Sequence, residues 1–341
     1  MSNETLTPES TATAGQAEGG ETGWITGQLE RFRHAGLRSL VIYIGFALIF
    51  AFFGIVLRDR GFLTPDNLLN IVRQSTPVLV MAVGMTYVVS TADIDLSVGS
   101  TVGLAALGTA MALEGHGLLI GLAVGVGIGA AVGLANGLIT TKMRLPSFLV
   151  TLGMMSLVAG ITQRLTNLVS VPISHQGYNG FFGSGDIGPV PGLLVWAVVV
   201  TVVAHFFYRR TRFGRHVLAV GGSRDAASSV GINTDRLRIG VFVISGVLAA
   251  LAGMLYAGSL HSAQYMLGTN DLLTAIAATV IGGTSLFGGR GSIVGAALGA
   301  LLMGMLNNGL VLMGLSVAEQ TAIRGLLIIL AVSLSMREQK A

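Results

Sequence analysis

Apolar residues occur in long continuous runs, separated by short polar or glycine-rich segments. Each run is close to the roughly 20 residues that cross the hydrocarbon core of a bilayer as a helix. The runs do not alternate between apolar and polar positions, which argues against membrane-spanning strands. The pattern predicts an all-α, polytopic membrane protein with about ten transmembrane helices. The predicted spans are residues 39–57, 69–91, 97–113, 117–139, 146–167, 191–208, 238–260, 271–287, 292–313 and 321–336.

The polar segments divide the chain into one membrane domain and two tails. Residues 1–38 are rich in Ser, Thr, Gly and Glu, and this composition predicts a disordered tail. Residues 39–336 form the predicted transmembrane domain, and 337–341 form a short C-terminal tail. The first residues are acidic and polar rather than basic and then apolar, so we expect no cleaved signal peptide.

Two loops between the predicted spans are long enough to contain structure of their own. The loop at 168–190 is rich in Pro and Gly, and we expect an ordered cap or a short helix there. The loop at 209–237 is strongly basic. Its middle, from Leu218 to Gly231, predicts one short amphipathic helix that ends at Gly231.

The positions of Lys and Arg predict the orientation of the chain. With the N-terminus in the cytoplasm, most of the 20 basic residues fall in cytoplasmic loops, the largest group in 209–237. The positive-inside rule therefore favours cytoplasmic N- and C-termini and an even number of spans. The same rule accounts for the net charge of +4, because the basic residues are spread over several loops rather than gathered in one patch.

Composition excludes several classes of protein. Hydrophobic residues make up 52% of the chain and charged residues 11%, with mean hydropathy +0.75. Soluble domains contain about 25% charged residues. A disordered chain, a nucleic-acid-binding protein and an ordinary cytosolic enzyme are therefore all disfavoured.

Motifs for catalysis or cofactor binding are absent from the sequence. There is no Cys, no Gly-Lys dipeptide that could belong to a phosphate-binding loop, and no His-Glu-x-x-His or Gly-x-Ser-x-Gly. The six His residues are scattered without the spacing of metal ligands. We therefore expect no catalytic residue, metal site or cofactor, and any use of ATP would require a separate ATPase chain.

Two carboxylates, Asp93 and Asp95, lie between two apolar spans in the segment 91–99. A charge at mid-membrane costs about 2.5–3.5 kcal/mol on insertion scales. Carboxylates in this position therefore indicate a structural or functional role. One hypothesis is that Asp95, Ser97 and Gly99 break a helix and form a gate. The alternative is that Asp95 caps the start of the 97–113 helix by accepting backbone N–H bonds. The two hypotheses are compatible.

The segment Ile281–Gly291 contains five glycines, which permit sharp turns and close helix contacts. Gly282, Gly283 and Arg290 are therefore candidates for a cytoplasmic hinge that touches a gate or a partner. The alternative is a tight turn between helices with Arg290 reaching the lipid headgroups.

Taken together, these motifs resemble the monosaccharide permeases of ABC importers, the group that transports ribose, xylose and arabinose. The resemblance covers roughly residues 40–336. The matching segments are Ile94–Gly99, Asn136-Gly137, Pro146–Gly153, Phe213–Arg215 and Ile281–Gly291.

The resemblance implies a multi-pass permease subunit in the plasma membrane that moves a monosaccharide. The implied partners are a cytoplasmic ATPase, an extracytoplasmic sugar-binding protein, a second permease that is either identical or related, and membrane lipid, with no nucleic acid. The ATPase would dock on the 209–237 loop. The coupling residues implied there are Arg212, Phe213, Gly214, Arg215, Asp225, Ala226, Ala227 and Gly231.

The chain departs from the family pattern in three places. Asp225 stands where the coupling signature usually has Glu, and the apolar-Pro ending of that signature is missing. Ala92 and Asp93 replace a usual Gly-Gly pair, so Asp93 adds a charge.

A sugar needs polar partners along its path, and polar residues within spans tend to face the bundle interior. The pathway candidates are Gln74, Ser75, Asn136, Thr151 and Asn307. The alternative for each is a hydrogen bond between helices. The alternative function is a stand-alone, ion-coupled secondary transporter of a small polar solute. That function would need coupling carboxylates, for which the candidates are Asp93, Asp95 and Asp271.

Overall fold

A computed structural model of the chain describes residues 44–337. Long helices dominate this part of the chain, as the apolar pattern predicts. The helices are α1 (Ile44–Val56), α2 (Pro65–Ser90), α3 (Val98–His116), α4 (Leu118–Lys142), α5 (Ser147–Thr166), α6 (Gln176–Asn179), α7 (Gly192–Arg210), α8 (Arg212–Gly222), α9 (Arg224–Ser229), α10 (Thr234–Leu260), α11 (Leu272–Ile281), α12 (Ile293–Leu312) and α13 (Val317–Arg337). A 3₁₀ turn, Arg58–Arg60, follows α1, and a π turn, Gly180–Ser184, follows α6.

Four two-residue strands form two small antiparallel ladders. β1 (Val171–Pro172) pairs with β4 (Ser262–Ala263), and β2 (Asp186–Ile187) pairs with β3 (Val190–Pro191). β1, α6, the π turn, β2 and β3 all lie in the 168–190 loop or at its edge, so the expectation of an ordered cap is confirmed. Tyr178 of this cap is buried, and its hydroxyl donates to the carbonyl oxygen of Met254 at 2.9 Å. Burial raises the pKa of the Tyr178 phenol, so it remains a donor at neutral pH.

Seven helices among residues 44–337 are long and apolar enough to cross a membrane: α2, α3, α4, α5, α7, α10 and α12. The polytopic all-α prediction is confirmed, whereas the count of ten spans is not. The short run at 97–113 is a full helix of 19 residues, α3. The predicted tail 1–38 and residues 338–341 lie outside the described part of the chain.

The predicted span 271–287 is wrong as a continuous helix. α11 has 10 residues, which rise about 15 Å, half the thickness of the hydrocarbon core. The helix stops because the glycine-rich segment begins immediately after it, and Gly283 takes a left-handed φ of +87°. The preceding segment, 264–271, packs against the start of α3.

The prediction of a single helix from Leu218 to Gly231 is also wrong in detail. Two helices, α8 and α9, are separated at Ser223, which is extended and accepts a hydrogen bond from the Ala226 N–H through its hydroxyl. This serine is a cap residue that begins a new helix. The predicted end is confirmed, because α9 stops at Ser229 and Gly231 has a φ of +84°.

The core of the bundle forms around α10, which packs against α2, α3 and α4. Five buried glycines are spaced by four residues along α4: Gly121, Gly125, Gly129, Gly133 and Gly137. A Cβ atom at Gly129 would overlap the backbone of Gly246 on α10, and one at Gly133 would overlap the backbone of Phe242. Small residues at this spacing let two membrane helices approach closely. We call this contact between α4 and α10 the glycine seam.

Candidate functional site

Three segments that the sequence analysis singled out meet at one end of the bundle. They are the linker 91–97 between α2 and α3, the α8–α9 loop, and the glycine-rich turn 282–291. The N–H of Gly289 donates to the carbonyl oxygen of Ser90 at 3.0 Å. A Cβ atom at Gly221 would overlap that same carbonyl group. We call this meeting point the junction, and glycine is required there because the three backbones touch.

Asp93 is the charged centre of the junction and is 2% exposed. Arg238 of α10 binds it in a bidentate manner, with Nε–Oδ2 at 2.8 Å and Nη2–Oδ1 at 2.7 Å. Arg224 of α9 donates from Nη2 to Oδ1 at 3.2 Å, and to the carbonyl oxygens of Thr91 and Ala92. Asp93 therefore ties the linker to both the α8–α9 loop and the bundle core.

The role of Asp93 could have been suspected from the sequence, since a buried carboxylate needs a cation and the adjoining loop is rich in Arg. Neither Arg224 nor Arg238 is predicted from the sequence as the partner of Asp93. The choice among the basic residues depends on tertiary contacts. Arg224 is 131 positions and Arg238 is 145 positions from Asp93 along the chain, and only folding brings both to the linker.

Asp95 lies in the same linker but makes no ion pair within the part of the chain that the structure describes. Its Oδ1 accepts from the Ser97 N–H at 3.0 Å and the Ser97 hydroxyl at 2.7 Å, and its Oδ2 accepts from the Ser245 hydroxyl at 3.0 Å. Burial raises the pKa of the Asp95 carboxyl, whereas these hydrogen bonds lower it. Ser97 occupies the cap position of α3, and Asp95 supports it from two residues earlier. Asp95 accepts one backbone N–H, that of Ser97, which precedes α3, and it accepts none from within the helix. The hypothesis that Asp95 is itself the cap residue is therefore wrong in detail, because Ser97 holds that position.

Two of the pathway candidates, Asn136 and Thr151, bind this linker. Asn136 donates from Nδ2 to the Ser97 hydroxyl at 2.7 Å. The Thr151 hydroxyl donates to the carbonyl oxygen of Ile94 at 3.0 Å. Both side chains are fully buried. They hold α4 and α5 against the linker, which is the hydrogen-bonding alternative considered for them.

The glycines proposed as hinges occupy separate contacts. Gly99 in α3 faces the 264–271 segment, where a Cβ atom would come within 2.8 Å of the Gly268 carbonyl oxygen. Gly282 caps α11 and presses against the backbone of Gly295 and Ala296 at the start of α12. Arg290 is exposed, and its carbonyl oxygen accepts from the Ser285 N–H at 3.1 Å. Gly99 and Gly282 therefore lie in two different contacts rather than in one cluster.

The α8–α9 loop has one apolar face in the core and one charged face outside. Val217, Val220 and Ala227 are buried. Gly214 is buried where a Cβ atom would overlap the backbone of Tyr208, and the Phe213 ring lies 6.3 Å from that of Tyr87. The exposed members of the predicted coupling set are Arg212, Arg215, Asp225, Ala226 and Gly231.

A cavity of about 310 Å³, with a wall of polar and apolar side chains, lies between α2, α10, α11, α12 and α13. It is lined by the other three pathway candidates, Gln74, Ser75 and Asn307. Sequence reasoning missed Tyr256 and Arg324 as lining residues, and considered Asp271 for ion coupling alone. The remaining lining residues are Asn70, Arg73, Pro77, Val78, Ser259, Leu260, Thr274, Ala300, Met303 and Gly304.

Several named transport permeases are similar to this chain. It is 41% identical over 289 residues to the ribose import permease protein RbsC of Escherichia coli strain K12, covering 82% of this chain and 88% of that protein. It is 36% identical to the D-allose transport system permease protein AlsC of the same strain, covering 84% and 88%. It is 30% identical to the xylose transport system permease protein XylH of Haemophilus influenzae, covering 91% and 99%.

A protein-family model matches residues 67–332, which include every helix from the first turn of α2 to most of α13. The family is described as the permease component of the branched-chain amino acid transport system. Permease components work within larger transport systems, and they are not enzymes. With its seven apolar helices among residues 44–337, the chain is a multi-pass membrane protein and belongs to this family of transport-system permeases.

Proposed function

We propose that the chain is the membrane-spanning permease subunit of an ABC importer that carries a monosaccharide across the plasma membrane. The family description names amino acids, whereas the relatives described above are named for ribose, allose and xylose. The polar side chains in the cavity wall, among them Gln74, Asp271 and Asn307, support a sugar, because hydroxyl groups need hydrogen-bond partners that a branched apolar side chain does not. The chain would act as a passive conduit, with ATP hydrolysed by a partner.

The observation that carries the proposal is the construction of the junction. The α8–α9 loop exposes charges outward and inserts apolar residues inward, as a docking element does. Its inner side is tied to the linker 91–97 through Arg224 and Asp93. A displacement of α9 by a docked ATPase would therefore reach the linker, and through it α2 and α3, without passing through a flexible segment.

In the proposed mechanism, ATP binding and hydrolysis in the partner alternate between two positions of the α8–α9 loop. The bundle then opens to one side of the membrane or to the other. A nucleotide shifts this equilibrium by its different affinity for the two states. An extracytoplasmic sugar-binding protein would deliver the substrate, and a second permease, identical or related, would complete the complex. The predicted orientation places α8 and α9 in the cytoplasm, where the ATPase is.

The buried carboxylates keep the ion-coupled secondary transporter as a second candidate function. Asp93 fits that role poorly, since two arginines neutralise it. Asp95 and Asp271 remain as candidates. Uptake of labelled D-ribose, D-xylose and D-allose into sealed vesicles that contain ATP decides between the two functions. The importer requires the ATPase and binding protein, whereas uptake by the permease alone that collapses with an uncoupler would establish the carrier.

Charge reversal at Asp225 and a bulky residue at Gly231 are expected to uncouple ATP hydrolysis from sugar uptake. Asp225 is on the exposed face of α9, and Gly231 needs its left-handed conformation to end that helix. We expect Asp225→Arg and Gly231→Val to lower sugar moved per ATP hydrolysed about fivefold or more, which corresponds to losing roughly 1 kcal/mol of coupling. Both quantities are measured in proteoliposomes that contain the complete importer.

Glu114→Arg is the matched control, because Glu114 is an exposed carboxylate at the far end of α3 and away from the junction. It should leave the ratio of transport to hydrolysis unchanged. Normal coupling in both the Asp225 and the Gly231 variants would show that this face does not receive the ATPase.

A further inference from the structure

We propose that the cavity between α2, α10, α11, α12 and α13 binds one monosaccharide within a single permease chain, with Asp271, Asn307 and Gln74 as its hydrogen-bonding residues. The inference rests on the proposed function and adds a defined site to it. The site lies toward the end of the bundle opposite the junction, because Asn70, Gln74 and Leu260 are far along their helices from Ser90 and Thr234. It would therefore hold the sugar before the conduit opens inward.

The size and lining of the cavity suit a small ligand. Its volume of about 310 Å³ is at the lower end of the roughly 300–1,000 Å³ that ligand pockets occupy. Apolar side chains, including Val78 and Met303, form part of the wall. Polar groups from five helices form the rest. Such mixed walls are typical of sites that orient a ligand by a few hydrogen bonds.

Asp271 is the strongest polar feature of this wall. The Tyr256 hydroxyl donates to its Oδ2 at 2.6 Å, which fixes the carboxylate. Within residues 44–337 its side chain makes no other hydrogen bond and no ion pair. Its Oδ1 therefore remains available as a hydrogen-bond acceptor at the cavity. Ionisable residues at membrane depth usually have a functional partner.

Two amides add unused hydrogen-bonding capacity. The Oδ1 atom of Asn307 is buried and has no hydrogen-bond partner among the described residues. Gln74 lines the same cavity, is exposed rather than buried, and makes no hydrogen bond within the described chain. A buried polar atom without a partner costs about 1–3 kcal/mol. A ligand that supplied a donor to Asn307 would remove that penalty.

A neutral polyol satisfies this set better than the other classes of ligand. Each hydroxyl group both donates and accepts, so it can serve Asp271 and Asn307 as a donor and Gln74 as an acceptor. A metal ion would need more ligands, and no group of three His, Asp or Glu side chains able to hold one occurs in the described chain. An amino acid would need a free cation for its carboxylate. Of the two arginines in the wall, Arg73 is paired with Asp186 at 3.0 Å. Arg324 is close enough to Asp271 to interact with its charge.

Binding to the purified permease alone, in lipid nanodiscs, tests the inference. The probes are radiolabelled D-ribose, D-xylose and D-allose, with L-leucine as the amino-acid comparator. One of the three sugars should bind saturably and in preference to L-leucine. Asp271→Asn and Asn307→Leu should each weaken that binding about tenfold, the equivalent of one charge-assisted or buried hydrogen bond, and Gln74→Leu should weaken it less.

Gln163→Leu is the matched control for Gln74→Leu, because Gln163 is an exposed glutamine on α5 that does not line the cavity. It should bind the sugar as the unmodified protein does. Asn307→Ser, which keeps a small polar group, tests whether any loss in Asn307→Leu comes from misfolding, and a single symmetric gel-filtration peak is required of each variant.

The outcomes separate this inference from the proposed function. Preferential binding of L-leucine, or unchanged sugar binding in all three cavity variants, would overturn the cavity site. ATP-driven sugar uptake by the complete importer, with no binding to the permease alone, would overturn the site and leave the function standing. Absence of sugar uptake by the complete importer, with sugar still bound in the cavity, would instead overturn the importer mechanism.

Discussion

Replacing Asp93 with alanine is expected to destabilise the folded permease by about 3–5 kcal/mol, the usual consequence of removing one partner from a buried ion pair. Arg238 is 9% exposed, and its guanidinium would lose both hydrogen bonds to the carboxylate. The measurement is the thermal unfolding temperature in detergent, together with the yield of monodisperse protein. Asp93→Asn should be intermediate, since the amide keeps one acceptor oxygen and loses the charge.

Arg224 provides the contrast, because its side chain is 43% exposed. A solvent-exposed partner contributes about 1 kcal/mol or less to stability. Arg224→Gln should therefore fold normally and still lower sugar uptake per ATP hydrolysed, because the link from α9 to the linker is cut. If Asp93→Ala were as stable as the unmodified protein, the pairing in the junction would have no structural role. If Arg224→Gln transported at the normal ratio, the junction would not transmit motion.

The second large effect is expected in the glycine seam. Gly129→Val would place two methyl groups where the Gly246 backbone already lies. Overpacking in a well-packed core costs about 1–3 kcal/mol when neighbours can move, and backbone cannot move as a side chain does. We therefore expect a loss at or beyond the upper end of this range, seen as aggregation or proteolysis of the expressed protein.

The same helix offers a matched control for this prediction. Gly127 lies two positions before Gly129, is exposed, and has open space where its Cβ atom would be. Gly127→Val makes the same chemical change on the other face of α4 and should fold normally. Equal yields of the two variants would mean that α4 and α10 are not in close backbone contact.

Periodicity and length placed the long helices correctly, because the hydrocarbon thickness constrains a spanning helix directly. α2, α3, α4 and α10 lie where the apolar runs predict them. The same constraint misled the interpretation of 271–287, where an apolar run is only partly helical. Non-helical backbone can lie at membrane depth when protein, rather than lipid, surrounds it. Such a segment keeps an apolar composition, so composition alone does not reveal that the helix is only half as long as the run.

The residues of the site were predicted unevenly for a related reason. Motif segments were recognised, and folding brings the linker, the α8–α9 loop and the glycine-rich turn together. Their partners were not recognised, since Arg238, Arg224 and Tyr256 are ordinary residues in their own helices. The cavity arises from five helices, and no local pattern records which polar side chains converge there.

Ala92 gives the junction one more property. Its φ of +58° is left-handed, a conformation that costs an L-residue with a Cβ atom about 1–2 kcal/mol. Arg224 donates to the carbonyl oxygens of Thr91 and Ala92, which belong to the two peptide groups that flank the Ala92 Cα. These bonds help to hold the left-handed φ of Ala92. Withdrawal of Arg224 would release torsional strain, so the linker is biased to relax whenever α9 moves away.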